Sequence, residues 1–242
     1  MAERLIKLGR SEGLSLDASD DPHEFKEAVH WFRQRIPMTE AEYEKVSTEL
    51  QDRAFKVSAV AQADLVTQVY DALESAIREG TSFDAFQEKV GASLNESWGK
   101  EMPGRLETIF RTNVQSAYGA GGYAQRTNPV VLHRRPVWQF SAIEDDRTTD
   151  ICQPLDGTTL DADDPFWSDH TPPLHYNCRS TIVALTRDEA DEDGMSDEAP
   201  DIDAAEGFGD TPEAPAGDWQ PDLKDYPHSI GEVLREKLGS ED

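Results

Sequence analysis

The sequence predicts an α+β protein with a helical N-terminal region containing one long helix, a small β-containing, loop-rich module, and a disordered acidic tail. Three observations lead to this fold class. Apolar residues recur at three- and four-residue steps as far as Gly119, which is typical of amphipathic helices. From Val137 onward, short runs of aromatic and β-branched residues favour strands. After Arg187, acidic and small residues dominate and aromatic residues almost disappear, which predicts disorder.

These patterns divide the chain into five parts. Residues 1–21 form a predicted flexible arm, 22–129 a helical domain and 130–186 the β-containing module. Residues 187–217 are a predicted disordered acidic linker, and 218–242 a docking segment that ends in a short amphipathic helix. The 242 residues are enough for the helical domain and the module to bury a core.

The helical domain is predicted to contain one long helix, because residues 40–79 include no proline and no glycine. Thr39, with Glu42 three residues later, has the form of a capping box that opens this helix. Gly80 ends it, and a bend or break is expected near Val57. The sequence therefore predicts helices that pack on one another around this long element.

A later helix is predicted from about Arg105 to Tyr118. The glycine-rich GAGGY at 119–123 follows this helix, whereas a nucleotide-binding loop would follow a strand. The run is therefore interpreted as a helix terminator.

The formal charge of −26 is concentrated toward the C-terminus. Residues 188–242 contain 19 Asp and Glu against 3 Lys and Arg, a net charge of −16, and the rest of the chain carries −10. Such a chain is repelled by phosphates, which argues against sequence-specific nucleic-acid binding. It has no apolar run of about 18 residues and no secretory signal at its start, so no membrane association and synthesis in the cytoplasm are expected.

The segment 145–183 is the richest in chemistry, with both cysteines and two of the six histidines. Cys152, His175 and Cys178 are soft and borderline ligands suited to zinc. A fourth ligand would come from the carboxylates or the imidazole nearby: Asp145, Asp146, Asp156 or His170. Two other interpretations stay open, namely buried free thiols beside a loop histidine and a disulfide, which a reducing cytoplasm opposes. No cofactor other than zinc is predicted.

The same three residues allow a catalytic hypothesis. A cysteine nucleophile with a histidine base, or a metal-dependent hydrolase or nuclease, would use Cys152, His175 and Cys178. No glycine loop of the oxyanion-hole type accompanies them. A non-enzymatic role is therefore the preferred prediction.

Three segments resemble the phage Mu F-like minor head protein family, also called the phage head morphogenesis family. They span 37–86, 104–123 and 137–181. The third is the most specific, because it contains in order an aromatic strand, D-x-R-T, L-D-G, D-P-F-W, P-P and N-C-R. Many members that resemble it carry C-x-x-C after the R-T and end in C-R-C, whereas Thr149 and Ser180 stand at those positions here. A four-cysteine metal site is thereby excluded.

The motif residues of the third segment are assigned a structural role. Asp146 and Arg147 are predicted to pair, Asp156-Gly157 to form a turn, and Pro172-Pro173 to fix a return loop. Arg179, within N-C-R, belongs to the same set.

The resemblance implies a low-copy capsid component that acts in head assembly or DNA packaging and travels with the ejected genome. Its implied partners are portal, major capsid or scaffold proteins, and its implied location is the virion, with the host cytoplasm during assembly. A toxin-like effector that borrows the same module is the third hypothesis. The predicted docking residues either bind a partner or pack back on the chain itself: Trp219, Tyr226, Ile230, Leu234 and Leu238.

Overall fold

The computed structural model describes residues 25–57, 59–98, 102–212 and 228–238, and its mixed architecture confirms the α+β prediction. The predicted arm at 1–21 lies outside the described residues. The elements are α1 Lys26–Arg33, β1 Ile36–Pro37, α2 Glu40–Tyr43, α3 Thr48–Gln51, β2 Ala54–Phe55, α4 Ala63–Glu79, α5 Phe83–Trp98, α6 Met102–Arg126, α7 Pro129–Arg134, β3 Val137–Ser141, β4 Thr159–Asp161, β5 Thr181–Leu185, α8 Arg187–Asp193 and α9 His228–Leu238.

The helical part has its core where α1, α4, α5 and α6 meet. Phe32 of α1 stacks on Tyr70 of α4 with ring centroids 4.9 Å apart, and Phe55 meets both rings edge-on. The Tyr70 hydroxyl donates to the Phe32 carbonyl at 3.3 Å, which satisfies the polar end of a buried ring. This aromatic group joins α1 to α4, the longest helix within the predicted 40–79 region.

The prediction of a single long helix over 40–79 is wrong. The predicted capping box, the end at Gly80 and the break near Val57 are confirmed. Thr39 and Glu42 form the capping box, and Gly80 has a left-handed φ of 65°. Between them, β2 pairs in parallel with β1, and Val57 is buried in the core of the helical part. Burial of this irregular segment outweighs its local helix propensity, so the regular helix begins only at Ala63.

The GAGGY run does not terminate a helix, because α6 continues through it to Arg126. A β-carbon on Gly119 would lie 2.6 Å from the Pro172 carbonyl oxygen, and one on Gly121 would lie 2.8 Å from the Ala28 amide nitrogen. The glycines therefore allow the backbone of α6 to approach α1 on one side and the 172–173 loop on another. Close packing is their role, and it offsets their low helix propensity.

The β-containing module is a three-stranded antiparallel sheet in the order β4-β3-β5. Trp138 of β3 lies opposite Leu160 of β4 and Ala184 of β5. The loops around the sheet cover its core, since Trp138 packs edge-on against Trp167 with centroids 5.8 Å apart. Leu155 and several other loop residues complete this core.

The prediction of disorder over 187–217 is wrong for residues 187–212, which form a helix and a hydrogen-bonded segment. Thr186 and Glu189 form a capping box for α8, and the chain then returns along the module. The Ala205 amide donates to Leu174 at 2.9 Å, and the Thr171 amide donates to Gly209 at 2.7 Å. Backbone hydrogen bonds to the module compensate for the scarcity of apolar side chains here. Residues 213–217 lie outside the described part of the chain.

The C-terminal helix α9 packs back on the helical part. Ile230 and Leu234 are each 1% exposed and lie in a cluster with Ile36 and Met38 at β1. Leu238 is the last residue of α9, whereas Trp219 and Tyr226 lie outside the described residues. No helix among the described residues is long and apolar enough to cross a bilayer.

Candidate metal centre

The module brings Cys152, His175 and Cys178 together from three loop positions. Cys152 caps the 3-10 turn Gln153–Leu155, which follows the loop after β3. His175 and Cys178 lie between the Pro172-Pro173 peptide, which is cis, and β5. The pairing of β3 with β5 holds the two loops side by side, so residues 23 to 26 positions apart in sequence meet.

The three potential ligand atoms form a compact group, all within 4.8 Å of one another. The Cys152 Sγ lies 3.2 Å from the His175 Nε2 and 3.8 Å from the Cys178 Sγ. Both cysteines are free and 3% exposed, so the disulfide interpretation is wrong. Among the described residues, neither the carboxylates nor His170 joins this ligand group.

The hydrogen bonds of His175 define its tautomer. Its Nδ1 lies 2.8 Å from the Tyr176 carbonyl oxygen, which can only accept, so Nδ1 carries the proton. The Nε2 lone pair then faces the Cys152 Sγ and accepts from the Thr149 hydroxyl at 2.9 Å. Nε2 is therefore the ring nitrogen that faces the Cys152 sulphur.

The contact between the two thiols moves their pKa values in opposite directions. The hydrogen bond from Cys152 lowers the pKa of Cys178, and backbone amides of Leu174 and Ser180 act in the same direction, although burial opposes them. The pKa of Cys152 is raised, first by its hydrogen bond with Cys178 and then by burial. Ionisation of Cys178 is therefore favoured over ionisation of Cys152.

Thr149 and Ser180, which stand at cysteine positions of the resembling family, also lie at this cluster. The Thr149 hydroxyl oxygen accepts from the Cys152 amide at 3.3 Å, and a hydrogen bond from the Ser180 side chain lowers the pKa of Cys152 against the larger effects that raise it. Ser180 is 2% exposed, and its carbonyl accepts from the Gln115 amide of α6 at 2.7 Å. Ser180 thus links the cluster to the helical part.

An ion pair beside the cluster uses Asp145, one residue before the predicted partner Asp146. The Arg179 guanidinium donates to both carboxylate oxygens of Asp145, and Arg147 lies 3.7 Å from the same group. The Arg179 hydrogen bonds lower the pKa of Asp145 well below its usual range, assisted by the Arg147 backbone amide. The motifs D-x-R-T and N-C-R contain the signal for this pair, but sequence alone does not show that they meet.

The structure has a turn at Asp156-Gly157 and a cis peptide between Pro172 and Pro173. The Asp156 carboxylate accepts from the Ala142 amide at 2.7 Å, and Gly157 has a φ of 78° where a turn needs a left-handed residue. The Pro172-Pro173 loop lies against Gly119 of α6. Both turns position the cluster without contributing ligands to it.

The fold and this centre define an α+β protein in which a long helix supports a small cysteine-histidine module. The same region carries the family likeness, since residues 67–183, from within α4 to within β5, match the family described as Phage Mu protein F like protein. The chain belongs to this family over that range.

Two relatives extend the comparison. The chain is 33% identical over 188 residues to a protein of Escherichia phage Mu whose name assigns it to capsid assembly (protein F), a match that covers 70% of this chain and 42% of that protein. It is 35% identical over 147 residues to the Mu-like prophage FluMu F protein of Haemophilus influenzae, which covers 55% of this chain and 35% of that protein. The chain therefore spans less than half the length of either relative. No solved structure matches it significantly.

Proposed function

We propose that this chain is a minor capsid protein that acts in head morphogenesis and DNA packaging of a tailed phage or prophage, beside the portal. Its other proposed partners are the major capsid and scaffold proteins, and its proposed locations are the virion and, during assembly, the host cytoplasm. The observation that carries the proposal is the 33% identity to the phage Mu protein whose name assigns it to capsid assembly.

The construction of α6 is consistent with an assembly role. Tyr123 packs edge-on against Trp138 of the module with centroids 6.0 Å apart, and Gln115 donates to Ser180. On its other side, α6 packs on α1 through Gly121. One helix thus holds both halves of the protein in a fixed arrangement, which suits a part that must present a constant surface to its neighbours.

The small space beside the cysteine-histidine cluster favours a non-enzymatic role. It has a volume of about 10 Å³, enough for about one water molecule. Ligand pockets are usually several hundred Å³. A hydrolase or nuclease built on Cys152, His175 and Cys178 would need to bring a scissile bond to sulphurs that are 3% exposed.

The position of α9 limits which residues of the C-terminal segment are free to bind a partner. Ile230 and Leu234 are already covered by β1 of the same chain. Binding to a partner through these two side chains would first require α9 to leave that site, at the cost of exposing apolar surface. Trp219 and Tyr226 are therefore the residues that we propose for direct contact with the prohead.

The test is co-sedimentation of the purified full chain with proheads assembled from the capsid, scaffold and portal proteins of the same phage or prophage. We expect binding to proheads that contain the portal and much weaker binding to shells assembled without it. Equal binding to both would contradict the position beside the portal. No binding to either would contradict the assembly role.

The docking residues need a matched comparison in the same assay. A Trp219→Ala, Tyr226→Ala double variant should bind less, whereas His133→Ala, a change at an exposed position of α7, should bind as the wild type does. If the double variant binds fully, the segment is not the docking element.

A further inference from the structure

We propose that the Cys152 Sγ, the His175 Nε2 and the Cys178 Sγ bind one Zn²⁺ ion, with a water molecule in the fourth coordination position. This site is independent of the proposed role in head assembly, because it is argued only from the geometry of the module. It differs from a four-cysteine site in that an imidazole fills one position and a water molecule another.

The separation of the two sulphurs fits a tetrahedral zinc ion. Zinc–sulphur bonds of about 2.3 Å at the tetrahedral angle hold two sulphurs about 3.8 Å apart. The Sγ atoms of Cys152 and Cys178 lie 3.8 Å apart. The sulphur-to-nitrogen distance expected for the same ion is roughly 3.5 Å, and the observed 3.2 Å between Cys152 and His175 requires only a small side-chain adjustment.

The His175 ring is already oriented as a zinc ligand. The Tyr176 carbonyl accepts from Nδ1 of His175, an outer hydrogen bond of the kind that orients metal-bound imidazoles. The Nε2 of the same ring then faces the Cys152 Sγ at 3.2 Å. Zn²⁺ binds cysteine as thiolate, so metal binding releases the thiol protons to solvent.

The surrounding groups are those expected around metal-bound thiolates. The Ser180 side chain hydrogen-bonds the sulphur of Cys152, the amides of Leu174 and Ser180 hydrogen-bond the sulphur of Cys178, and the Thr149 hydroxyl hydrogen-bonds the imidazole of His175. Such donors stabilise negative sulphur and fix its direction. They would be surplus in a site that served only to bury two neutral thiols.

The fourth position is assigned to water because of the space that adjoins the cluster. This space is lined by Cys152, His175, Thr149 and Ser180, and its volume of about 10 Å³ corresponds to about one water molecule. Among the described residues, no further cysteine, histidine or carboxylate belongs to the ligand group. Water with hydroxyl neighbours is then the ligand that the site can accommodate.

The first experiment measures zinc in the full chain, purified without chelator and without a histidine tag. We expect about one equivalent of zinc, and a thiolate-to-metal charge-transfer band when Co²⁺ replaces it. Cys178→Ser should lose most of the metal, and the exposed-site variant His133→Ala should retain it. Less than about half an equivalent in the wild type, together with no cobalt band, would overturn the proposal, as would full retention of zinc by Cys178→Ser.

The second experiment adds a ligand at the open position. Thr149→Cys places a thiol where the present hydroxyl lies 2.9 Å from the His175 Nε2. We expect the variant to hold zinc against a competing chelator at least about tenfold more tightly than the wild type does. Unchanged or weaker retention would show that this position is not open to a fourth ligand. If the variant fails to fold, the cobalt titration of the wild type decides.

Discussion

Single residues without side chains determine how closely α6 approaches its neighbours. A β-carbon on Gly119 would lie 2.6 Å from a backbone oxygen of Pro172, an atom that cannot rotate away. Helix propensity alone would favour alanine there by about 1 kcal/mol. The presence of glycine therefore shows that contact between α6 and the 172–173 loop outweighs local helix stability.

The first prediction concerns Gly119→Ala. We expect it to lower the free energy of unfolding by about 1–3 kcal/mol, because the new methyl group overpacks a contact made by backbone atoms. Chemical denaturation with linear extrapolation measures the change. Gly104→Ala is the control in the same helix, since nothing in the described part of the chain lies within 4 Å of its β-carbon position, and it should be neutral or stabilising by up to about 1 kcal/mol. Equal effects would contradict the packing argument.

A second prediction at this scale concerns pH. The pKa of Asp145 is lowered, first by the hydrogen bonds from Arg179. A carboxyl group whose native pKa is below its unfolded value of about 3.9 stabilises the fold above that value, and the contribution is lost as pH falls through the native pKa. Asp145→Asn retains an acceptor for the Arg147 amide but removes the charge. We therefore expect a lower melting temperature at pH 7 and a difference that shrinks below about pH 4.

Asp146→Asn is the matched control for this pH prediction, because the sequence favoured Asp146 as the partner and the structure has the pair at Asp145. Melting temperatures of the two variants between pH 2 and 7, chosen as roughly the range of carboxyl titration, measure the difference. A larger loss for Asp146→Asn at pH 7 would contradict the assignment. Added salt should reduce the Asp145 effect, since the pair is partly exposed.

Arg126 gives a third prediction, since it is buried between α6 and the module without a carboxylate partner among the described residues. Its Nε has no hydrogen-bond partner in the described part of the chain, and burial lowers its pKa to about 10. Replacement of a buried, poorly paired charge by an apolar side chain of similar length is often neutral or stabilising. We expect Arg126→Met to leave the thermal midpoint unchanged or raised, and Arg126→Ala to lower it by leaving a cavity. A large fall in the thermal midpoint of Arg126→Met would contradict this prediction and show that the fold needs the charge.

At the scale of elements, the sequence predicted those parts whose apolar period matched their final packing. The helix that ends at Gly80 and the strand at Val137 are confirmed, because local pattern and core burial agree there. The prediction of one helix failed around 52–62, apart from the expected break near Val57, and the prediction of a helix end failed at 119–123, because tertiary contacts override local propensity there. Neither β1–β2 pairing nor the approach of a loop to Gly119 leaves a periodic signal in sequence.

The candidate site was predicted more completely than the fold around it. Cys152, His175 and Cys178 were identified from ligand chemistry, and the structure brings all three together. The positions of Thr149 and Ser180 beside them followed from no spacing rule, because their loops meet only through the pairing of β3 with β5. The prediction of a fourth ligand among the nearby carboxylates and His170 was wrong for the same reason, since sequence spacing does not show which loops meet.

The segment after α8 supports a fourth prediction. Residues 196–211 donate and accept backbone hydrogen bonds along the module, including those at Ala205 and Gly209. We expect a chain that ends at residue 212 to melt at a higher temperature than one that ends at residue 194, because only the longer chain keeps these bonds and the bond between His170 and the Ile202 carbonyl. Both chains lack α9, so the comparison isolates this segment. Equal melting temperatures would show that it contributes no stability.

At the scale of the whole molecule, α6 makes the helical part and the module interdependent. Its glycine face contacts α1 and the 172–173 loop, while Tyr123 reaches the module core. We therefore predict that the two halves unfold together. Amide hydrogen exchange under increasing denaturant should show α4 and β3 losing protection in one transition. Earlier loss in β3 alone would show that the module opens independently.

The return of α9 to β1 has a practical consequence for testing the proposed binding to proheads. A gold cluster attached at Glu232, an exposed position of α9, would mark the side of the helical part where β1 lies. A label on Tyr176, which is 66% exposed beside the cysteine-histidine cluster, would mark the module. Imaged together on proheads, the two labels would give the orientation of the molecule in the proposed complex.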